Sequence, residues 1–358
     1  MATGIPLRRE IWDRLCLVCV GSKDPRTSRT REATERPGVV ALPAMISSST
    51  GWKSENTPLR FLFTMSGMDL QTVTDAVAAV AVPLFAVTSM VAVGLGHTVR
   101  QFLTPLRDAR LVLAGLAANF VIAPAVAFAV ITVFGIPQEA RIGLMVLACA
   151  AGAPFVLKLS KLARADMAVS SSLLAVMLLA TIGYMPVALP VLLPGVEVAP
   201  GAIAAVLLLT MFLPLVGAVL LRQFSPAAAS LAQRPVGRLS LVAMVVMLAN
   251  QFLADHRELA GLVGTGTIAA ILAFIALNFG LGWILGAWRA GTGAVLGISA
   301  SQRNMGAATV VVVANFEDSL AVPTVVLAGF LALIVLIPVA RWLGRGPRPQ
   351  IGRALPAH

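Results

Sequence analysis

The segment "GISASQRNMGAATVVVVANF", residues 297–316, is apolar at both ends and polar near its middle, where it contains Ser299, Ser301, Gln302, Arg303 and Asn304. Hydrophobic sequence continues on both sides, so the segment has the pattern of a membrane-spanning helix with a polar interruption. Irregular backbone at membrane depth is tolerated only where it lies within protein or lines a cavity. The segment therefore predicts a helix that breaks inside a membrane protein.

The whole chain has the composition of a membrane protein. Of its 358 residues, 58% are hydrophobic and 12% are charged, and the mean hydropathy is +0.89. A soluble domain of this length needs more polar surface. The formal net charge of +11 is better explained by basic cytoplasmic loops than by a nucleic-acid partner. We expect a multi-pass protein of the plasma (inner) membrane that contacts the lipid bilayer and binds no nucleic acid.

Long apolar runs predict an all-α polytopic fold with about nine transmembrane helices. The predicted spans cover residues 73–96, 108–134, 139–163, 167–193, 200–221, 236–254, 259–287, 291–315 and 319–343. Basic residues are frequent in the odd-numbered loops and after the last span, whereas the even-numbered loops contain only Arg141 and Arg257. This asymmetry predicts a cytoplasmic C-terminus, with residues 347–358 as a cytoplasmic tail.

The N-terminal residues 1–67 differ from the rest, because they contain ten Lys and Arg residues and no apolar run long enough to span. They are interpreted as a disordered basic tail or as the product of a misassigned start, with synthesis beginning at Met65 or Met68. The predicted topology would require this basic tail to be exported, which the charge rule disfavours. We therefore favour the later start.

Two parts of the membrane region resemble each other and predict an inverted repeat. The first membrane repeat, residues 70–194, has four predicted helices, and the second, residues 199–346, has five. "LAANFVIAP" and "IALNFGLGW" align Asn119 with Asn278, and "LARADMAV" and "ANFEDSLAV" align Asp166 with Asp318. An odd number of spans separates the equivalent helices, so the two copies have opposite orientations. Such repeats are typical of secondary transporters.

The repeat pairs the polar segment of span eight with an interruption in span three. There, "CAAGAPFVLKLSKLAR" contains Gly152 and Pro154, and the proline removes a backbone donor and favours a break. Paired interruptions at matching positions indicate a transport site. Half-helices that start near Pro154 and Asn304 would direct their positive N-terminal ends to the middle of the membrane. We therefore expect an electropositive pocket that suits small organic anions.

Arg303 is the residue on which this interpretation depends. It lies about 20 Å from either edge of a helical span, too deep to reach water, and its guanidinium does not lose its proton. No Asp or Glu falls within the core of a predicted span. The open choices for its partners are backbone carbonyls at the break, Gln302, Asn304, Asn119, Asn278 or a bound anion. We expect the substrate to supply the negative charge.

Lys158 is four residues after Pro154 and six before Arg164, so it is interpreted either as a site residue or as an anchor at the membrane edge. The complete set of predicted substrate-binding residues is Arg303, Asn304, Gln302, Ser299, Ser301, Lys158, Pro154, Asn119 and Asn278.

The spans, the repeat and the segments "GAPFVLKLSKLARAD" and "SQRNMGAA" together resemble the bile acid:sodium symporter family, including its bacterial homologues. The resemblance extends over about residues 70–345. It implies two broken helices that cross in a core domain, a second panel domain, and transport of organic anions by alternating access. Spans two, three, seven and eight would form the core.

The sequence departs from that family at the sodium ligands that the resemblance implies. The family's glutamate in the second broken helix aligns with Ser299, and the glutamine downstream of it aligns with Arg303. Its serine–asparagine pair in the first broken helix aligns with Val156 and Leu157, and the glutamine of the preceding helix with Asn119. Valine and leucine offer no side-chain oxygen, so these sodium sites are degenerate.

This departure leads to a hypothesis about the coupling ion. Family membership alone implies sodium, whereas Arg303 and Lys158 place fixed cations beside both degenerate sites. We therefore expect these side chains to replace sodium, and transport to be either facilitated or coupled to protons through Lys158. No cofactor and no resident metal are expected.

Two other functions remain open from the sequence. An arsenite-type efflux transporter would use a cysteine near the first broken helix, and Cys149 lies a few residues before the break. A membrane receptor or scaffold without transport is the alternative of another class. An enzyme is not expected, because the spans contain no carboxylate pair and no histidine. The substrate, the direction of transport and the oligomeric state do not follow from the sequence.

Overall fold

The structure is a computed structural model that describes residues 70–103, 108–194, 199–254, 256–289, 291–316 and 320–345. The predicted tails 1–67 and 347–358 lie outside these ranges, as do Asp318 and hence its alignment with Asp166. The chain divides into two units, residues 1–75 and residues 76–358. The first unit is described only over residues 70–75, at the start of a helix, and the site below belongs to the second unit.

Within the described ranges the chain is helical and contains no strand, which confirms the predicted all-α fold. The helices are α1 Leu70–Gly96, α2 Val99–Leu103, α3 Ala109–Phe134, α4 Gln138–Cys149, α5 Phe155–Leu162, α6 Met167–Leu192, α7 Pro200–Phe224, α8 Pro226–Ala254, α9 His256–Leu262, α10 Thr267–Gly286, α11 Thr292–Ser301, α12 Met305–Asn315 and α13 Ala321–Leu343. Among the described residues, 7 helices are long and apolar enough to cross a membrane, namely α1, α3, α6, α7, α8, α10 and α13.

The two remaining predicted spans are each divided into two short helices. The α4 and α5 helices have 12 and 8 residues and are separated by residues 150–154. The α11 and α12 helices have 10 and 11 residues and are separated by residues 302–304. None of these helices is long enough to cross a bilayer alone. The total of nine spans and the inverted repeat of residues 70–194 and 199–346 stay predictions.

The first break occurs where the sequence predicts it, and packing explains its glycine. Gly152 has φ +76°, in the left-handed region that favours glycine, and a Cβ there would lie 2.7 Å from the backbone nitrogen of Leu178 in α6. Pro154 then caps α5 at a position where its missing N–H costs no hydrogen bond.

Two predicted boundaries are wrong. The α8 helix begins at Pro226, ten residues before the predicted start at residue 236, because its basic first turns extend beyond the apolar run. The predicted span 259–287 is divided into α9 and α10 by a turn at residues 263–266. In that turn Gly264 and Gly266 have φ +91° and +80°, values that end one helix and permit a change of direction.

A π-helical segment, Ala117–Ile122, interrupts the regular hydrogen bonding of α3. The N–H of Ala123 donates to the carbonyl of Ala118, five residues earlier. Pro124 follows and has no N–H, so it donates to neither Asn119, five residues before it, nor Phe120, four residues before it. The carbonyls of these two residues therefore depend on side chains from other helices.

Tyr184 of α6 satisfies the carbonyl of Phe120. Its hydroxyl donates to that oxygen at 2.7 Å, and the two rings lie 4.7 Å apart. We expect Tyr184→Phe to keep the ring contact but lower the free energy of unfolding by about 1 kcal/mol, because a carbonyl without a local donor loses its partner. Thermal unfolding of the purified protein in detergent measures this. An unchanged melting temperature would show that water replaces the hydroxyl.

Candidate functional site

The two broken helices meet at their breaks. The backbone N–H of Asn304 donates to the carbonyl of Ala150 at 2.8 Å, and its side-chain amide donates to the carbonyl of Gly152 at 3.2 Å. The side-chain oxygen of Asn304 also accepts from the N–H of Ala307 at 3.1 Å, which caps α12. Asn304 thus joins the two breaks and starts the second half-helix.

Arg303 lies at this crossing and is only 3% exposed. Its Nε donates to the carbonyl of Leu147 at 3.3 Å. Nη1 donates to the side-chain oxygen of Asn119 at 2.7 Å and to the carbonyl of Ala300 at 3.4 Å. Nη2 donates to the carbonyl of Asn119 at 3.2 Å and to that of Ala148. A guanidinium has five N–H donors, and each has a protein oxygen here.

The position of these oxygens in the helices explains why they are available. Leu147 and Ala148 belong to the last turn of α4, and Ala300 to the last turn of α11, where carbonyls lack partners within the helix. The C-terminal end of a helix also carries the negative end of its dipole. The remaining carbonyl, that of Asn119, belongs to the π-helical segment. The guanidinium therefore occupies a cation site of neutral oxygens, supplied by the ends of two half-helices and by α3.

No carboxylate contributes to this site in the described part of the chain. Asp108 and Asp166 cap α3 and α6 at helix ends, and Glu139 lies in the first turn of α4. The ion pair between Arg289 and Asp108, with 3.8 Å between nitrogen and oxygen, is at the surface. Glu197, Asp255, Glu317 and Asp318, which were also predicted to lie in loops, fall outside the described residues.

A cavity of about 480 Å³ lies beside the crossing, and we call it the central cavity. Five of the predicted site residues line it: Pro154, Lys158, Gln302, Arg303 and Asn304. Leu157 and Gly306 do so as well, so the first turns of α5 and α12 both reach the cavity. The side-chain oxygen of Gln302 is buried and has no hydrogen-bond partner.

The other predicted site residues lie away from the central cavity. Asn119 holds Arg303, and its amide nitrogen donates to Ser299 Oγ at 3.4 Å. Ser301 Oγ donates to the carbonyl of Gly297 at 2.7 Å, within its own helix. Asn278 is fully buried in α10; its amide nitrogen donates to the carbonyl of Phe274 at 2.8 Å and its side-chain oxygen has no partner. The structure therefore brings Asn119, but not Asn278, to the guanidinium.

The opposite wall of the cavity was not predicted as part of the site. It consists of residues from α1, α8 and α13: Phe85, Ser89, Val93, Gln233, Ser240, Met244, Gly329 and Leu333. Ser89 and Ser240 are buried polar residues in apolar helices, which is a signal that the sequence does offer. The wall also extends to His97 and Gln101, at the end of the bundle where Arg100 lies.

The cysteine of the arsenite alternative is not accessible from the central cavity. Cys149 is fully buried at the end of α4 and is absent from the cavity wall. The described residues also contain no group of three His, Cys, Asp or Glu side chains placed to hold a metal ion.

Comparison with known proteins identifies the family. Residues 83–262, half of the chain, match the model of the Sodium Bile acid symporter family. The chain belongs to this family. A curated relative, "Probable sodium/metabolite cotransporter BASS3, chloroplastic" of Arabidopsis thaliana, is 23% identical over 195 residues, which cover 54% of this chain and 45% of the relative. The chain thus spans about half the length of the curated relative that it matches.

Membership in the sodium bile acid symporter family confirms two predictions. The predicted resemblance is correct, and the members of this family are transporters rather than enzymes. Together with the long apolar helices, this membership indicates a multi-pass membrane protein. The family match ends at residue 262, so the second broken helix and Arg303 lie beyond it, although the sequence resemblance was expected to reach residue 345. The description of Arg303 therefore rests on the geometry alone.

Proposed function

We propose that this protein is a secondary transporter of small organic anions that works by alternating access and does not require sodium. The observation that carries the proposal is the central cavity, which combines the N-terminal turns of two half-helices with a lysine on an otherwise largely apolar wall. Helix N-termini present unpaired N–H groups and positive potential, and they bind anions in transporter cores.

The composition of the cavity wall suggests the chemical class of the substrate. Lys158 is exposed and has no acidic partner in the described chain, so its ammonium is available to an anionic group. Phe85, Met244 and Leu333 form apolar parts of the wall. An organic anion with one carboxylate or sulfonate and an apolar body matches these groups.

Arg303 has a different role in this proposal from the one expected from the sequence. All five of its donors are used by the protein, so it contributes positive charge at the crossing rather than a direct hydrogen bond to the substrate. Sodium is bound in transporters by unwound carbonyls and the C-terminal ends of half-helices, and the same kinds of oxygen surround this guanidinium. We infer that Arg303 is a permanently bound cation in place of one sodium ion.

The position of the second degenerate sodium site also supports the absence of sodium coupling. Val156 is buried and Leu157 lines the central cavity, and neither side chain has an oxygen to offer a cation. Sodium prefers several oxygen ligands, as other hard cations do. Transport is then either facilitated or coupled to protons through Lys158.

Alternating access requires two parts that move against each other. The hydrogen bonds at the crossing suggest which helices form one of these parts. Hydrogen bonds through Arg303 and Asn304 join α3, α4 and the residues between α4 and α5 to the break between α11 and α12. The central cavity lies between this hydrogen-bonded group and the wall formed by α1, α8 and α13. We propose that the hydrogen-bonded group, with α13 packed against α4 at Gly143 and against α12 at Gly329, moves as a unit past α1 and α8 and carries the bound anion with it.

The test is transport in proteoliposomes made with the purified full chain. A thermal-shift screen with taurocholate, short monocarboxylates and aromatic sulfonates first selects a stabilising anion. Counterflow of that labelled anion is then measured in sodium and in choline buffers. We expect rates within about twofold of each other, since the occupied cation site leaves no coupling ion to be loaded. Counterflow that requires sodium would refute the replacement by Arg303, and a lack of counterflow with any stabilising anion would refute transport of this class.

A further inference from the structure

A second cavity, of about 530 Å³, lies near the ends of α5 and α13 and is strongly basic. Its wall consists of Lys158, Lys161, Leu162, Arg164, Arg341, Gly344 and Arg345, and we call it the basic cavity. None of its five cationic side chains has a hydrogen bond or an ion pair with another described residue. A concave group of five cations without a counter-charge attracts an anion from outside the described chain.

The close approach of two helix ends creates this concentration of charge. The ends of α5 and α13 meet at Gly344, where a Cβ would lie 2.3 Å from the carbonyl of Leu162. Only glycine permits that contact, which brings the basic residues of α5 beside Arg341 and Arg345. Arg164 contributes from a left-handed backbone conformation, φ +53°, that side chains other than those of Asn and Asp rarely adopt. Glycine usually occupies this position at a helix end, so the backbone conformation gives no reason for an arginine at residue 164.

The exposed face of α13 leads from the apolar part of the bundle to the basic cavity. Its exposed positions from the middle onward are Phe330, Ile334, Pro338, Arg341 and Trp342, spaced to lie along one side of the helix, and Arg345 follows in the turn after it. Trp342 is 70% exposed and Ile334 is 51% exposed. An exposed tryptophan in the last turn of a membrane helix marks the interface between hydrocarbon and headgroups. The basic cavity therefore lies at headgroup level, with an apolar stripe beside it that can accept an acyl chain.

We propose that the basic cavity is a binding site for an acidic phospholipid, with the phosphate held by Arg341, Arg345 and Lys161 and the acyl chains along the exposed stripe of α13. Basic pockets between membrane helices bind anionic headgroups on the side of the membrane that carries basic loops. The arginines provide the planar, paired donors that suit a phosphate. The stripe distinguishes a lipid from a free phosphate, which would gain nothing from it.

The lipid site has a consequence for the moving parts proposed above. Lys158 lines both the basic cavity and the central cavity, and α5 with the turn after it carries three of the five cations. A phospholipid that bridges α5 and α13 therefore holds the first broken helix beside α13 at one end of the bundle. Acidic lipid is expected to favour the conformation in which these ends are together. The binding site itself does not depend on the proposed transport activity.

The test is native mass spectrometry of the full chain in detergent, titrated with phosphatidylglycerol or phosphatidylcholine. Each basic residue near an anionic membrane contributes about fivefold to binding, so Arg341→Gln with Arg345→Gln is expected to weaken phosphatidylglycerol binding about thirtyfold. The matched control is Arg234→Gln with Arg238→Gln, a pair with the same spacing on α8 that lines neither cavity. It should change the affinity less than about threefold on the same scale.

Three outcomes would overturn the lipid site. One is an equal loss in the control pair, which would indicate general attraction by the net charge. Another is binding of inorganic phosphate or glycerol phosphate as tight as that of phosphatidylglycerol, which would indicate a free-anion site. The third is unchanged phosphatidylglycerol binding in the Arg341/Arg345 variant. If the double variant does not fold, the single variants are compared, and each is expected to lose about fivefold.

Discussion

Arg303→Gln is expected to destabilise the protein by about 3–5 kcal/mol, more than any other substitution in the site, because several buried oxygens lose their donor at once, each at a cost of about 1–3 kcal/mol before the site relaxes. Five oxygens, from Leu147, Ala148, Ala300 and twice from Asn119, lose the guanidinium together, and among them the carbonyl of Leu147 keeps a second donor, the N–H of Ala150. Each buried oxygen without a partner has a cost of its own. Thermal unfolding of the purified protein in sodium-free buffer measures the loss. Arg289→Gln, which removes an exposed arginine from a surface ion pair, should change stability by less than about 1 kcal/mol.

The same variant should acquire a response to sodium that the natural protein lacks. Removing the guanidinium leaves several carbonyls and the side-chain oxygen of Asn119 around an empty space, and the new glutamine adds one more oxygen. These are suitable ligands for a small hard cation. We expect sodium, but not potassium or choline, to raise the melting temperature of Arg303→Gln and to leave that of the natural protein unchanged. A sodium-dependent shift in the natural protein, or none in the variant, would contradict the role of Arg303 as a substitute for sodium.

Arg303→Lys separates the charge of the residue from its geometry. Lysine retains the positive charge but has three donors on a single atom, which cannot reach oxygens on three helices in the way that the planar guanidinium does. Its stability should therefore fall between those of the natural protein and Arg303→Gln, without a response to sodium. Stability as low as that of Arg303→Gln would indicate that hydrogen-bond geometry, rather than charge, holds the crossing together.

The sequence predicted the general features of the site correctly but not the partners of its central residue. Gly152, Pro154 and the polar segment around Arg303 indicate both breaks because glycine, proline and capping residues act locally. The sequence also shows directly that no Asp or Glu lies within the core of a predicted span. From these facts we expected an anionic substrate to be the partner of Arg303. The partners are instead mainly backbone carbonyls, which are available because two helices end beside Arg303 and because α3 contains a π-helical segment. Such oxygens are not apparent from residue types.

The contrast between Asn119 and Asn278 shows why an aligned repeat was insufficient. Both are buried asparagines at equivalent positions of the predicted repeat, but only Asn119 contacts the guanidinium. Five residues after Asn119 is Pro124, whereas five residues after Asn278 is Trp283, which retains its N–H. Of these two helices, only α3 therefore combines a π-helical segment with a missing donor and presents a free carbonyl. The opposite wall of the central cavity was missed for a related reason, since packing between distant helices decides which isolated serines face a cavity.

Lys158→Gln is expected to weaken binding of an anionic substrate between tenfold and a hundredfold, the second large effect. Lys158 and Arg303 both line the central cavity. The N–H donors of Arg303 are used by protein oxygens, whereas the ammonium of Lys158 has no hydrogen-bond acceptor among the described residues. A charge-assisted hydrogen bond contributes about 1.5–3 kcal/mol, which corresponds to this range. Isothermal titration with the anion selected by thermal shift, and with its uncharged amide, measures the effect. Binding of the amide should change less than about threefold, since it gains little from the ammonium.

Two further variants determine how Lys158 acts. Arg238→Gln removes an exposed cation that lines neither cavity and should leave anion binding unchanged. An equal loss of affinity in this variant would show that the effect comes from the overall charge of the protein.

Lys158→Arg preserves the charge and should restore most of the affinity. An arginine does not release its proton, so this variant also distinguishes the two proposed forms of transport. Counterflow of the anion should continue in Lys158→Arg if transport is facilitated, while accumulation driven by a proton gradient should be lost if Lys158 carries the proton. Accumulation that persists in Lys158→Arg would exclude Lys158 as the proton carrier.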